Sequence, residues 1–94
     1  MGMDELLKVI AQEKKVALGL KEVKKDLKMM KLIVLSKDLT KEEVDSLTTK
    51  DAKVLVYNGS AYQLGRALGR NHPVKALGLR NLNERVELEL KKVS

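Results

Sequence analysis

Basic side chains in this sequence are concentrated around two glycines. Residues 14–31 include seven lysines and two acids, and Gly19 lies among them. Residues 66–80 include four cations and no acid, with Gly69 among them. Glycine lets a ligand approach the backbone closely, and clustered cations attract phosphate groups. The pattern indicates binding of a polyanion, although a lysine-rich helix face is also often no more than a solvated surface.

The residues that could support catalysis or metal binding have simpler interpretations. His72 is the only histidine, and its sequence neighbours supply no carboxylate to orient it as a general base. Ser60 fits a helix N-cap better than a nucleophile, because no nucleophile-elbow motif surrounds it. Glu42, Glu43 and Asp45 fall in one predicted helix as solvated charges. Neither a P-loop nor a GxGxxG motif occurs. We therefore expect a protein that is not an enzyme and uses no cofactor or metal.

Length and composition limit the chain to one modest domain. It has 94 residues, of which 44% are hydrophobic and 34% charged, so residues 1–94 are expected to form a single globular domain. A net charge of +6 favours a polyanionic partner. The two aromatic residues, Tyr57 and Tyr62, leave few platforms for base stacking. The absence of cysteine, of a signal-peptide core and of any membrane-spanning run predicts a soluble cytoplasmic protein without membrane contact.

Hydrophobic periodicity predicts that helices and strands alternate along the chain. Helical spacing covers residues 4–14, 21–30, the segment that begins at Thr40 and the segment that begins at Ser60. Strand patterns cover residues 16–18, 31–38, 53–58, 74–81 and 85–92. Thr40 is followed three residues later by Glu43, which predicts a capping box, and Ser60 is expected as an N-cap.

The last two predicted strands follow each other directly, with the residues NLN as a hairpin turn between them. In the second, Val86, Leu88 and Leu90 alternate with Glu87 and Glu89, so its acidic face is expected to meet water. Alternation of helix and strand, followed by two consecutive strands, predicts an α/β fold. We expect a three-layer α/β/α sandwich around a mixed sheet of four to five strands.

Two stretches of the sequence resemble a known family. VALGLKEVKKDL, followed by KLIVLSKD, resembles the glycine and lysine motif of the kink-turn RNA-binding ribosomal proteins of the L7Ae/L30e superfamily. NGSAYQLGRALGRNHPVKALGLRN is similar to the corresponding stretch of the L30e branch. The second motif is the more specific, because its Leu-Gly, Gly-Arg and Val-x-Ala-Leu steps must all fall in register. The order of elements also matches, so the resemblance covers essentially the whole chain.

The resemblance implies binding to a kink-turn, a sharp RNA bend with tandem sheared G·A pairs. The implied RNA-binding residues are Gly19, Lys21, Glu22, Lys24, Lys25, Lys28, Gly69, Arg70, Asn71, His72 and Val74. In this match Gly19 lets the backbone approach the RNA, Lys21 and Glu22 reach the G·A base edges, and Lys25 faces phosphates. The loop of residues 69–74 would cover the extruded base of the bend.

The resemblance further implies a structural protein of the large ribosomal subunit. Its partners would be ribosomal RNA and neighbouring ribosomal proteins, its location the cytoplasmic ribosome, and its free state a monomer. The alternative is a kink-turn-binding component of another ribonucleoprotein, such as a guide-RNA modification complex. An enzyme, or a domain of the same fold that contacts only protein, stays open as a third possibility.

Overall fold

The protein is built around a mixed β-sheet. In this computed structural model, which describes residues 2–13 and 16–93, the strands are β1 (Ala17–Leu18), β2 (Leu32–Leu35), β3 (Lys53–Val56) and β4 (Ala76–Leu79). Their order across the sheet is β1-β4-β2-β3. β4 is antiparallel to both of its neighbours, and β2 is parallel to β3. The predicted mixed sheet is therefore confirmed, with four strands in the described part of the chain.

Helices connect the strands. Those in the described residues are α1 (Gly2–Ala11), α2 (Leu20–Lys25), α3 (Lys41–Leu47), α4 (Ala61–Ala67) and α5 (Glu84–Val93). The first helix is shorter than predicted, since α1 ends at Ala11, and the predicted end at Lys14 lies outside the described residues. The second predicted helix is interrupted at Asp26, with φ −123° and ψ 35°, and a 3₁₀ turn (Leu27–Met29) leads from there towards β2.

Two of the predicted helix starts are capping boxes. At α3 the Glu43 N–H donates to Thr40 Oγ1 at 3.1 Å, and the Thr40 N–H donates to Glu43 Oε1 at 3.0 Å. At α4 the Gln63 N–H donates to Ser60 Oγ at 3.2 Å, and the Ser60 N–H donates to Gln63 Oε1 at 2.9 Å. Each box satisfies N–H groups that have no partner within the helix. Both predicted caps are confirmed.

Helices cover both faces of the sheet. Along β2, Leu32 and Val34 face one side, whereas Ile33 and Leu35 face the other, and all of them are fully buried. The helix residues that fill the first side are Leu6, Leu7, Ile10, Leu64, Val86 and Leu90. Those that fill the second side are Val23 and Leu47. The layers are therefore α1, α4 and α5, then the sheet, then α2 and α3, which confirms the predicted sandwich.

The last element of the chain differs from the sequence prediction. Residues 85–92, predicted as a strand after an NLN hairpin turn, belong to α5. Asn83 begins this helix by accepting the Val86 N–H at its Oδ1, 2.8 Å away. Val86 and Leu90 lie one turn apart and are buried in the layer that α1 shares, whereas Leu88 is 57% exposed. Acids in the first turn and lysines in the last turn also favour a helix here.

The two ends of the sheet carry different residues. At one end the C-termini of β1, β2 and β3 meet the N-terminus of β4. There the Gly19 N–H donates to the Ala76 carbonyl at 2.7 Å, and the Ser36 N–H donates to the Lys75 carbonyl at 2.8 Å. We call this the Gly19 end. At the opposite end, the Lys31 end, the Lys31 N–H donates to the last carbonyl of β4 at 2.7 Å.

Candidate nucleic-acid interface

Gly19 turns the chain from β1 into α2. Its backbone has φ 103° and ψ 157°, a combination that is essentially restricted to glycine. Apart from Gly19 and its two chain neighbours, no atom of the described residues lies within 4 Å of the position that a Cβ would occupy, so the space beside this residue is open. The Gly19 carbonyl accepts the Val23 N–H at 3.1 Å, which closes the first turn of α2. The glycine therefore combines a required backbone conformation with an unobstructed approach for a ligand.

The loop that follows α4 begins with a Schellman motif. The Gly69 N–H donates to the Arg66 carbonyl, and the Arg70 N–H donates to the Gly65 carbonyl, both at 2.9 Å. Gly69 has φ 75°, the left-handed conformation that this motif requires. The motif satisfies the last carbonyls of α4 and turns the chain sharply back towards the sheet.

The same loop is pressed against α4. A Cβ at Gly65 would lie 2.1 Å from the His72 carbonyl oxygen and 3.4 Å from Pro73 Cα, so only glycine allows this backbone contact. The Val74 N–H donates to the Ala61 carbonyl at 2.9 Å. The Val74 side chain is 1% exposed and belongs to the core. Val74 therefore anchors the loop through its side chain, and a contact with RNA could come only from its backbone.

A groove separates the start of α2 from the end of this loop. Its volume is about 460 Å³. It is lined by Leu18, Gly19, Leu20, Lys21, Glu22, Pro73 and Lys75. We call it the Gly19 groove. The structure thus brings predicted residues of the first motif next to the loop of the second, and both Lys21 and Glu22 are exposed there. Charge and backbone conformation suit the groove for an anionic ligand with polar edges.

Three of the predicted loop residues lie on the other side of the loop. Arg70, Asn71 and His72 line a separate pocket of about 280 Å³ together with Tyr62 and Arg66 of α4. We call it the α4 pocket. The loop therefore separates two cavities and forms part of the wall of both. Each cavity is lined by some of the predicted RNA-binding residues.

The last turn of α2 adds two exposed cations, Lys24 and Lys25. Lys24 lies near Glu43 of α3. The hydrogen bond from the Thr40 N–H is the main cause that lowers the pKa of Glu43, and the charges of Lys75 and Lys24 lower this pKa further. Lys75 Nζ lies 4.0 Å from Glu43 Oε2. Lys24 and Lys75 are thus partly balanced by an acid.

Not all of the clustered basic residues share this site. Lys28 lies in the 3₁₀ turn after α2, next to the segment that leads to the Lys31 end. Arg80 follows β4 and forms an ion pair with Asp26, also at the Lys31 end. Among the described residues, the basic side chains of the two stretches therefore lie towards both ends of the sheet.

Six residues that line the two cavities are absent from the set implied by the sequence, and two of them, Leu18 and Leu20, are apolar neighbours of Gly19. Tyr62, Arg66, Pro73 and Lys75 all line a cavity, and Gly65 holds the loop in place. The spacing of Tyr62 and Arg66, one helical turn apart, could have indicated a shared face. A glycine inside a helix pattern, such as Gly65, could have indicated a close backbone contact.

The loop after β2 is tied to the start of α4 by the Asp38 carboxylate. Asp38 Oδ1 accepts the Ser36 hydroxyl at 2.6 Å, and Asp38 Oδ2 accepts the Ala61 N–H at 3.1 Å. The hydrogen bond from Ser36 is the main cause that lowers the pKa of Asp38, followed by the one from Ala61. This link fixes α4, and with it the shared loop, relative to the sheet.

The lowered pKa of Asp38 predicts a pH dependence of stability. The unfolded state binds more protons than the folded state in acid, so the stabilisation is complete above the unfolded pKa of about 4 and is lost as the pH falls through the folded value. Denaturant unfolding should show the wild type more stable than Asp38→Asn at pH 7, with the difference shrinking below about pH 4. Glu43 titrates in both proteins, so its contribution cancels in the difference between their stabilities. A difference that is constant with pH would contradict this role.

Two other kinds of site do not occur in the part of the chain that the structure describes. No helix there is both long enough and apolar enough to cross a membrane. Within residues 2–13 and 16–93 there is also no group of three or more side chains placed to hold a metal ion.

The fold and the paired glycine junctions define a protein of the L7Ae type. The chain belongs to the Ribosomal protein L7Ae/L30e/S12e/Gadd45 family, whose profile matches residues 1–89. This confirms the resemblance at the level of the family, while the narrower L30e branch stays a prediction. No curated protein matches the sequence at a significant level.

Solved structures share the fold. A protein described as "Giardia lamblia 15.5kD RNA binding protein" superposes with a TM-score of 0.74 at 16% identity, covering 98% of this chain and 81% of the other. A protein of unknown function from Bacillus halodurans superposes with a TM-score of 0.72 at 21% identity, covering 94% of this chain and 92% of the other. At such low identities these similarities establish the architecture alone.

Proposed function

We propose that this chain is a single RNA-binding domain that recognises a kink-turn. The observation that carries the proposal is the Gly19 groove, where an open glycine junction, a lysine and a carboxylate face the loop that follows α4. Family membership supports an RNA ligand, and a structural neighbour with the same fold is described as an RNA-binding protein.

Each residue at the groove has a distinct proposed role. Lys21 donates to acceptors on the exposed edges of the sheared G·A pairs, and Glu22 accepts from their amino groups. The described residues offer Glu22 no hydrogen bond or ion pair, so its carboxylate is available to a ligand. Lys25, one helical turn beyond Lys21, faces the phosphates. The loop of residues 69–74 closes over the extruded base.

Replacing Glu22 by alanine should weaken binding to a kink-turn even though it makes the protein more positive. A base-edge contact is worth about 1–3 kcal/mol of discrimination, so the affinity for a kink-turn should fall by roughly 5- to 150-fold. Affinity for a plain duplex should stay the same or rise, because one repulsive charge is removed. Fluorescence titration of both RNAs measures the two effects.

The matched control is Glu87→Ala on α5, which removes an equally exposed acid far from the groove. It should raise or leave unchanged the affinity for both RNAs. Equal losses on the kink-turn and the duplex in Glu22→Ala would show that Glu22 does not read bases.

The proposed particle is the large ribosomal subunit. There the protein would bind ribosomal RNA in the cytoplasm beside neighbouring ribosomal proteins, as a monomer when free. Crosslinking in cells followed by RNA sequencing should recover ribosomal RNA, and the protein should sediment with large subunits. Recovery of guide RNAs in a separate particle would keep kink-turn binding and overturn the ribosomal assignment.

A further inference from the structure

The α4 pocket shares no lining residue with the Gly19 groove. Its five lining residues, Tyr62, Arg66, Arg70, Asn71 and His72, are all exposed and all carry polar or aromatic groups. We infer that this pocket is a second RNA site, which holds one unpaired nucleotide next to the kink-turn. The inference rests on the proposed function, because it extends the same RNA across the shared loop.

Tyr62 provides the stacking surface. Its side chain is 56% exposed, whereas Tyr57, the other aromatic residue, packs against the core. The guanidinium carbon of Arg66, one helical turn along, lies 5.8 Å from the centre of the Tyr62 ring. Any of the four nucleobases can stack on an aromatic ring or on a guanidinium plane, so this contact does not depend on the RNA sequence. The pair therefore offers a sequence-tolerant platform that contributes little to the core.

Arg66 and Arg70 supply the charge for the phosphate. Neither forms an ion pair with any described residue. The sequence also contains no acid between Asp51 and Glu84, so no carboxylate from this part of the chain competes for them. Arginine binds phosphate oxygens with two parallel hydrogen bonds. Unneutralised arginines beside an exposed ring match the phosphate and the base of one nucleotide.

The position of the pocket connects it to the Gly19 groove. Pro73 lines the groove and His72, the preceding residue, lines the pocket. His72 Nδ1 donates to the Pro73 carbonyl at 3.2 Å, which holds the ring in the loop. An RNA strand that crosses this loop from the groove would therefore meet the α4 pocket. The volume of the pocket is about 280 Å³.

The test compares a blunt-ended kink-turn RNA with versions that carry a four-nucleotide single strand on one strand end at a time. At least one extension should raise the wild-type affinity about tenfold, the gain expected from one stacked base. Tyr62→Ala and Arg66→Gln should each remove most of this gain while leaving the affinity for the blunt RNA unchanged. Tyr62→Phe should retain it, because the ring is preserved. Arg85→Gln, on α5, is the matched control for the loss of an exposed arginine and should behave as wild type.

A photo-crosslinking nucleotide placed in the effective extension should also join to α4 in the wild type. If no extension raises the affinity, or if the gain persists in Tyr62→Ala, the inference is overturned while kink-turn binding stands. If the blunt RNA fails to bind, the proposed function fails. An isolated eight-nucleotide single strand then tests the pocket by itself. Crosslinking that depends on Tyr62 would support the second site, and its absence would overturn it.

Discussion

Substitution of alanine for Gly65 should destabilise the protein and displace the loop that forms part of both cavities. Alanine normally stabilises a helix interior by about 1 kcal/mol relative to glycine. Here the added Cβ would lie 2.1 Å from the His72 carbonyl oxygen, which belongs to the backbone and can move away only together with the loop. Forced overpacking costs about 1–3 kcal/mol, so the net sign of the effect reverses. Kink-turn affinity should fall as well, since residues 72 and 73 must move.

Gly78→Ala is the matched control for a buried glycine. Its Cβ would lie 2.6 Å from Met30 Sδ, the flexible part of a side chain that can rotate away. Urea unfolding should therefore show a smaller loss of stability than in Gly65→Ala, and RNA affinity should be unchanged. If Gly65→Ala were more stable than the wild type, the close contact between α4 and the loop would be absent in solution.

The success of the sequence-based fold prediction depended on how much information each segment carries locally. The continuous aliphatic run of β2 fits only a buried strand inside the sheet. Thr40 and Ser60 each have their capping partner three residues later in the sequence. In contrast, Val86 and Leu90 lie four residues apart and satisfy both a strand period and a helix period. Burial in the layer shared with α1 selects the helix, and no local pattern contains that contact.

The candidate site was also predicted only in part. Gly19 and Gly69 mark their junctions by residue type, and the structure gives both a positive φ. The distribution of charge along the sequence does not show which basic residues lie together, because it does not record strand direction. Lys75 and Arg80 are separated by the length of β4, roughly 16 Å at the rise of an extended strand, so they lie at opposite ends of the sheet. A glycine inside a helix pattern could indicate that Gly65 makes a close backbone contact, but its own segment does not identify the partner, which lies seven residues away.

The division of charge between the two ends of the sheet leads to a prediction about salt. Affinity for a kink-turn RNA should fall steeply as salt rises, with a slope of about 0.7–0.9 in log units for each phosphate that the protein neutralises. Lys21 lies in the first turn of α2, at the Gly19 end, and Lys25 follows one helical turn later. Because only Lys25 of this pair is proposed to face phosphates, the double variant K21Q/K25Q should lose about 0.7–0.9 from this slope, besides weakening binding at low salt through the lost base contact of Lys21. Titrations at several potassium chloride concentrations measure it.

The decisive comparison is K28Q/K31Q, which removes the same charge from the neighbouring segment. If general attraction by a net charge of +6 drove binding, the two double variants would lose equal slope, since they reach the same net charge. If contacts at the Gly19 end drive it, K28Q/K31Q should keep the wild-type slope, because released counterions report the phosphates that are touched. Lys28 and Lys31 lie beyond the end of α2, where the chain returns to the Lys31 end. Equal slopes for both variants, or a flat salt dependence of the wild type, would place the RNA away from the Gly19 groove.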